Sequence, residues 1–177
     1  MTKIYPRKQA IITGLVSGIF AVTAFSIFTG LSDGLGKNIN PATIRWLTGL
    51  FSLLILAIGV YTGIQGVKRS NGGKLSYGQA VGAGVLVGLT VGIFMAIIGF
   101  IYTHFINPGY VDYMLAKNKS ALLAEGKTPA EVAASQAGLA KMLTPGAQIM
   151  QALVLQTGVA TILSLIMGLF LKSRGRG

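Results

Sequence analysis

Four long stretches of the chain carry no charged residue: Gln9 to Ser32, Trp46 to Val67, Leu75 to Val111, and Met142 to Leu171. Each exceeds the roughly 20 residues that a helix needs to cross about 30 Å of hydrocarbon. Lipid offers no partner to an open backbone, so each run must satisfy its own peptide groups as a helix. The third stretch is too short for two crossings and a turn. It reads as one long helix that ends near Asn107, because the residue before Pro108 is pushed out of helical geometry. Its start is marked by Ser76 with Gln79 three residues later, a capping box. Transmembrane helices are therefore predicted at about 9–32, 46–67, 77–106 and 148–171 within a single membrane domain, residues 1–177.

The segment between the last two stretches has a different grammar. Good helix formers run from Tyr110 to Glu125, and Gly126 offers a stop. Thr128-Pro129-Ala130-Glu131 then combines an N-cap, a proline in the first turn and a capping glutamate, predicting a second short helix to about Leu143. The expected fold is all-α: an integral membrane four-helix bundle with an extracytoplasmic helical hairpin at about 110–143. Val132, Leu139, Met142 and Leu143 would give the hairpin an apolar face toward the membrane surface.

Composition agrees with a lipid setting. Only 11% of the 177 residues are charged, against roughly 25% in soluble domains. Fifteen Lys and Arg face four acids, Asp33, Asp112, Glu125 and Glu131, for a formal net charge of +11. Nine of the basic residues fall in three segments: Lys3, Arg7 and Lys8; Lys68, Arg69 and Lys74; Lys172, Arg174 and Arg176. The other side holds Lys37, Arg45, Lys117, Lys119, Lys127, Lys141 and all the acids. By the positive-inside rule both termini are expected in the cytoplasm, with the basic clusters against anionic lipid headgroups. Nucleic acid is not an expected partner, because no aromatic-basic face accompanies the charge. The first stretch is longer than a signal-peptide core and no small-residue cleavage site follows it, so it reads as an anchor.

Small residues recur at helical spacing inside the spans. Gly84, Gly88, Gly92, Ala96 and Gly99 share one face of the third span, and Thr157, Thr161, Ser164 and Gly168 form a line on the fourth. Such faces let helix backbones approach closely in lipid, within one chain or between chains, so a compact bundle, a homo-oligomer and a membrane partner protein all remain open. Gln156 is the polar side chain that looks deepest, and with Thr157 it could either hydrogen-bond between helices or line a small polar cavity.

Enzyme chemistry finds little purchase. There is no Cys, and no phosphate loop, dinucleotide fingerprint, zinc-protease helix or nucleophile elbow occurs. No ionisable residue lies within a span core. His104 is the only histidine and has no second ligand beyond distant Asp112, so no metal, cofactor or catalytic residue is expected.

Several short motifs in fixed order carry a family resemblance. They are Gly72-Gly73-Lys74-Leu75-Ser76-Tyr77-Gly78-Gln79-Ala80, then Phe105-Ile106-Asn107-Pro108-Gly109-Tyr110, Lys127-Thr128-Pro129-Ala130-Glu131, and Thr144-Pro145 before a last helix ending in Leu171-Lys172. The pattern resembles a bacterial membrane family known only as domain of unknown function 4199. The resemblance implies a small multi-pass protein of the bacterial cytoplasmic membrane and brings no activity or binding residues. The expected role is non-catalytic packing with itself, a partner or lipid. The alternatives are a small oligomeric channel or transporter lined by Gln156, Thr157, Thr161 and Ser164, and a membrane enzyme using Asp112 or His104.

Overall fold

The computed structural model describes residues 41–173, together with residues 8, 10–13, 15, 16, 19, 20 and 23. From Pro41 to Ser173 the described residues form five α-helices in order: α1 (Pro41–Ser70), α2 (Tyr77–Ile101), α3 (Tyr110–Ala124), α4 (Pro129–Met142) and α5 (Pro145–Leu171). A π-helical turn, Tyr102–Ile106, continues α2. No strand occurs among the described residues. Among the described residues three helical segments are long and apolar enough to cross a membrane: Gly49–Ser70, Tyr77–Ile106 and Pro145–Leu171. The chain is a membrane protein, and its described secondary structure is all helical. Much of the expected span at 9–32 lies outside the described residues, and those described within it are helical.

Helix ends follow local chemistry more closely than charge. α1 starts at Pro41, ahead of the expected boundary at Trp46, because Arg45 ends an apolar run without ending a helix. It stops where Gly72 and Gly73 take φ values of +62° and +83°, and their amides bond back to the carbonyls of Arg69 and Lys68 at 3.2 and 2.9 Å. This closes the last turn as a Schellman motif. The capping box at Ser76 is present: the Gln79 amide donates to the Ser76 hydroxyl at 3.2 Å, and the Ser76 amide donates to the Gln79 side chain at 3.0 Å. α5 starts at Pro145, three residues ahead of the expected 148, with Thr144 at its N-cap.

α2 and α5 form the most extensive helix pair, with α1 packed across both. The buried residues of α2, from Ala80 through Ala83, Gly84, Val87, Gly88 and Val91 to Gly92, repeat at three and four and so make one face. On α1 the buried Leu56, Val60, Ile64 and Val67 do the same, and Ala10 joins them in the core. Thr13 covers Gly59, and Phe20 meets Phe51 with ring centroids 6.0 Å apart. As the chain advances from 13 to 20 its partners on α1 retreat from 59 to 51, so the described residues of the first stretch run antiparallel to α1.

α3 and α4 connect the far ends of α2 and α5. Gly126 at φ +73° ends α3, and Lys127 donates to the Leu122 carbonyl at 3.1 Å in a second Schellman motif. The two helices touch through Asn118 donating to Ser135 at 3.3 Å and Gln136 donating to the Leu115 carbonyl at 3.2 Å. Val132 is buried and Leu139 and Leu143 half-buried, whereas Met142, expected on the same apolar face, is exposed.

Candidate functional site

The α2–α5 seam collects most of the small residues singled out from sequence. A Cβ added to Gly88 would lie 2.7 Å from the Gln156 carbonyl oxygen and 2.9 Å from the Thr157 Cα. One added to Gly92 would lie 3.0 Å from the Leu153 Cα, and one at Gly84 would collide with the Ser164 side chain. Gly168 answers from α5, where an added Cβ would lie 3.2 Å from the Ala80 Cβ and the Tyr77 ring. Pairing 84 with 164, 88 with 160 and 92 with 153 makes the two helices antiparallel. Their backbones are in contact because a side chain is missing on one of them at each crossing.

Hydroxyl groups in the seam turn toward backbone. Thr161 donates to the Thr157 carbonyl at 2.7 Å, and Ser164, fully buried, donates to Thr161 at 2.8 Å and across the seam to Val81 at 3.4 Å. The Thr157 hydroxyl is buried and has no partner among the described residues. Gln156 is half-buried, and it is its main-chain carbonyl that faces Gly88.

The stripe does not stay closed to its end. A Cβ on Gly99 would meet nothing within 4 Å. There α2 and α5 part around a cavity of about 60 Å³, bounded by Ala96, Gly99 and Phe100 on one side and Pro145, Gln148 and Ile149 on the other. That volume suffices for water. Thr103 and His104 on the π-helical turn reach its rim. The turn is fixed by the Asn107 amide donating to the Tyr102 carbonyl at 2.7 Å, five residues back, and by the Asn107 side chain donating to the Tyr102 hydroxyl at 3.1 Å. His104 is exposed, stacks on Phe100 at 4.1 Å, and its Nδ1 lies 3.1 Å from the Phe100 carbonyl.

The opposite end of the seam is a clamp that sequence reading missed. Lys68 at the end of α1 donates to the Leu171 carbonyl at 3.1 Å, where α5 ends. Ser173 then pairs with the α1–α2 turn: its amide donates to the Leu75 carbonyl at 2.9 Å, its hydroxyl accepts from the Leu75 amide at 2.8 Å and donates to the Gly73 carbonyl at 3.1 Å. Basic residues at helix ends were legible as topology signals, but which one crosses to a carbonyl 103 residues away is a matter of tertiary geometry.

Among the described residues no three His or acidic side chains gather as a metal site would need. Glu131 sits in the capping box of α4. The Thr128 backbone and hydroxyl hydrogen bonds, followed by nearby Lys127, hold its carboxyl below the usual carboxylate range.

The family described as Protein of unknown function (DUF4199) matches residues 8–173 of the chain. Neither a curated protein nor a solved structure matches it.

Proposed function

The chain belongs to the DUF4199 family, and we propose that it is a non-catalytic multi-pass protein of a bacterial cytoplasmic membrane, acting by packing with itself, a partner protein or lipid. One observation carries this reading: the large apolar side chains that the fold leaves outside. On α5 alone Val154, Leu155, Ile162, Leu169 and Phe170 are all exposed, Phe170 to 82%. Water would not support so continuous an apolar surface, whereas lipid requires it.

Four spans with both termini in the cytoplasm extend that reading. The helical residues of the first stretch and their antiparallel contacts with α1 support a fourth crossing. The charge asymmetry supports the orientation, and α3 and α4 would then form a helical hairpin on the outer side. The bacterial setting is carried over from the family resemblance. A pore between α2 and α5 gains no support, since Ala160 and Ser164 fill the seam against Gly88 and Gly84, and the Ser164 hydroxyl bonds to backbone.

The natural absence of Cys permits a direct test. Lys37→Cys and Ser120→Cys should react with an impermeant maleimide in intact cells, and Ser70→Cys only after permeabilisation. The reverse pattern overturns the orientation, and labelling of Thr2→Cys from the same side as Lys37→Cys overturns the fourth span. Native purification should retain a second copy, a partner protein or lipid; a bare monomer counts against the proposed mode of action.

A further inference from the structure

We propose that the clamp end of the α2–α5 seam is a binding site for the phosphate of an anionic phospholipid headgroup, held by Arg69, Lys74 and Lys172. The inference rests on the membrane reading above and gives its lipid partner a defined place.

The hydrogen bonds of the clamp gather these charges. Ser173 pairs with Leu75 through both its amide and its hydroxyl, so Lys74 and Lys172, each one residue before a bonded partner, are drawn to the same edge. Lys68 and Arg69 come from the last turn of α1. Lys68 is committed to the Leu171 carbonyl, where it offsets the negative end of the α5 dipole. Arg69, Lys74 and Lys172 are exposed. The described carboxylates, Asp112, Glu125 and Glu131, all lie on the segment joining the other ends of α2 and α5.

Three exposed cations brought together by the backbone, with no described acid beside them, repel one another unless an anion is supplied. The edge is also the limit of three apolar spans, which end or begin at Ser70, Tyr77 and Leu171. A phosphate at that depth is a lipid headgroup, and the apolar flanks of α1 and α5 would take its acyl chains. The shared chemistry, a phosphate oxyanion on Arg and Lys, would also suit free inorganic phosphate. The position at the border of the spans selects the lipid.

The test uses the full chain in detergent micelles, where binding does not depend on which way the protein faces in a cell. A failed orientation would therefore leave this result standing. Native mass spectrometry should show phosphatidylglycerol retained in preference to phosphatidylcholine. Lys74→Gln with Lys172→Gln should weaken retention by about twenty-fivefold, from roughly fivefold for each charge at the border of the apolar layer. Lys119→Gln with Lys141→Gln, an equal charge change on α3 and α4, should leave it within about twofold. Hydrogen exchange should slow at the Leu75 and Ser173 amides on adding phosphatidylglycerol to the natural chain. Equal retention of both lipids, an equal loss in the α3–α4 pair, or unchanged exchange at those amides overturns the site. Displacement of the lipid by inorganic phosphate, with the same slowing of exchange, overturns the lipid assignment.

Discussion

At the residue scale, the glycine stripe of α2 shows how far spacing alone can be trusted. Gly84, Gly88, Gly92 and Gly99 share one face in sequence, yet of these glycines only the first three meet the facing helix closely. Spacing fixes which face a residue is on; it does not fix where two helices begin to diverge. Gly88→Ala should therefore lower stability in detergent by about 1–3 kcal/mol, the usual effect of forcing a methyl into a filled contact. Gly99→Ala should be neutral or stabilising by up to about 1 kcal/mol, since the methyl enters open space and the helix gains rigidity. Thermal melting of both variants checks this, and equal losses would mean that the seam stays closed as far as Gly99. Thr157 gives a converse case. Its hydroxyl is buried with no partner among the described residues, so Thr157→Val, which keeps the shape and removes the polar atom, should raise stability by about 1 kcal/mol. A drop on melting would show that the hydroxyl has a partner after all.

At the element scale, the capping boxes and the stop at Gly126 were legible, whereas the end of α1 and the start of α5, expected at about 67 and 148, fall at Ser70 and Pro145. Ser76 with Gln79 and Thr128 with Glu131 form the capping boxes that their letters spell, and glycines close α1 and α3. The π-helical turn at Tyr102–Ile106 was not legible: the shift from four-residue to five-residue bonding has no compositional mark, and Tyr-Thr-His-Phe-Ile suits either. The α4 box carries a pH signature. The hydrogen bonds from Thr128 favour the ionised Glu131 and depress its pKa in the folded chain. Their contribution is then fully present above the ordinary carboxylate range and is lost as pH falls through the lowered folded value. Hydrogen exchange, corrected for intrinsic rates, should show the first-turn amides of α4 losing protection on going from about pH 7 to about pH 3. Glu131→Gln retains an acceptor without the titration, so its protection should stay level across that range. A natural chain with level protection would remove the capping carboxylate from the stability of α4.

At the scale of the whole molecule, the helical membrane class was legible, because it is a sum over many residues. The clamp was not, because it depends on α1 and α5 ending at the same height. Lys68 makes that coincidence count: its ammonium lies at the Leu171 carbonyl, joining the last turns of helices far apart in sequence. A charged donor on the exposed end of a helix dipole typically contributes about 1–2 kcal/mol. Lys68→Met preserves the length and apolar stem of the side chain and removes both the donor and the charge. The expected loss is local. Amides in the last turn of α5, including the Lys172 amide that bonds to the Gly168 carbonyl at 3.1 Å, should exchange roughly five- to thirtyfold faster, the equivalent of about 1–2 kcal/mol. Amides beside Gly88 and Ala160 should be unchanged, because the seam there is held by packing that Lys68 does not touch. Acceleration spread evenly along α5 would mean that the helix opens as one unit and that the clamp holds the whole seam; no acceleration at its end would mean that Ser173 and the packed Tyr77 ring hold it without Lys68.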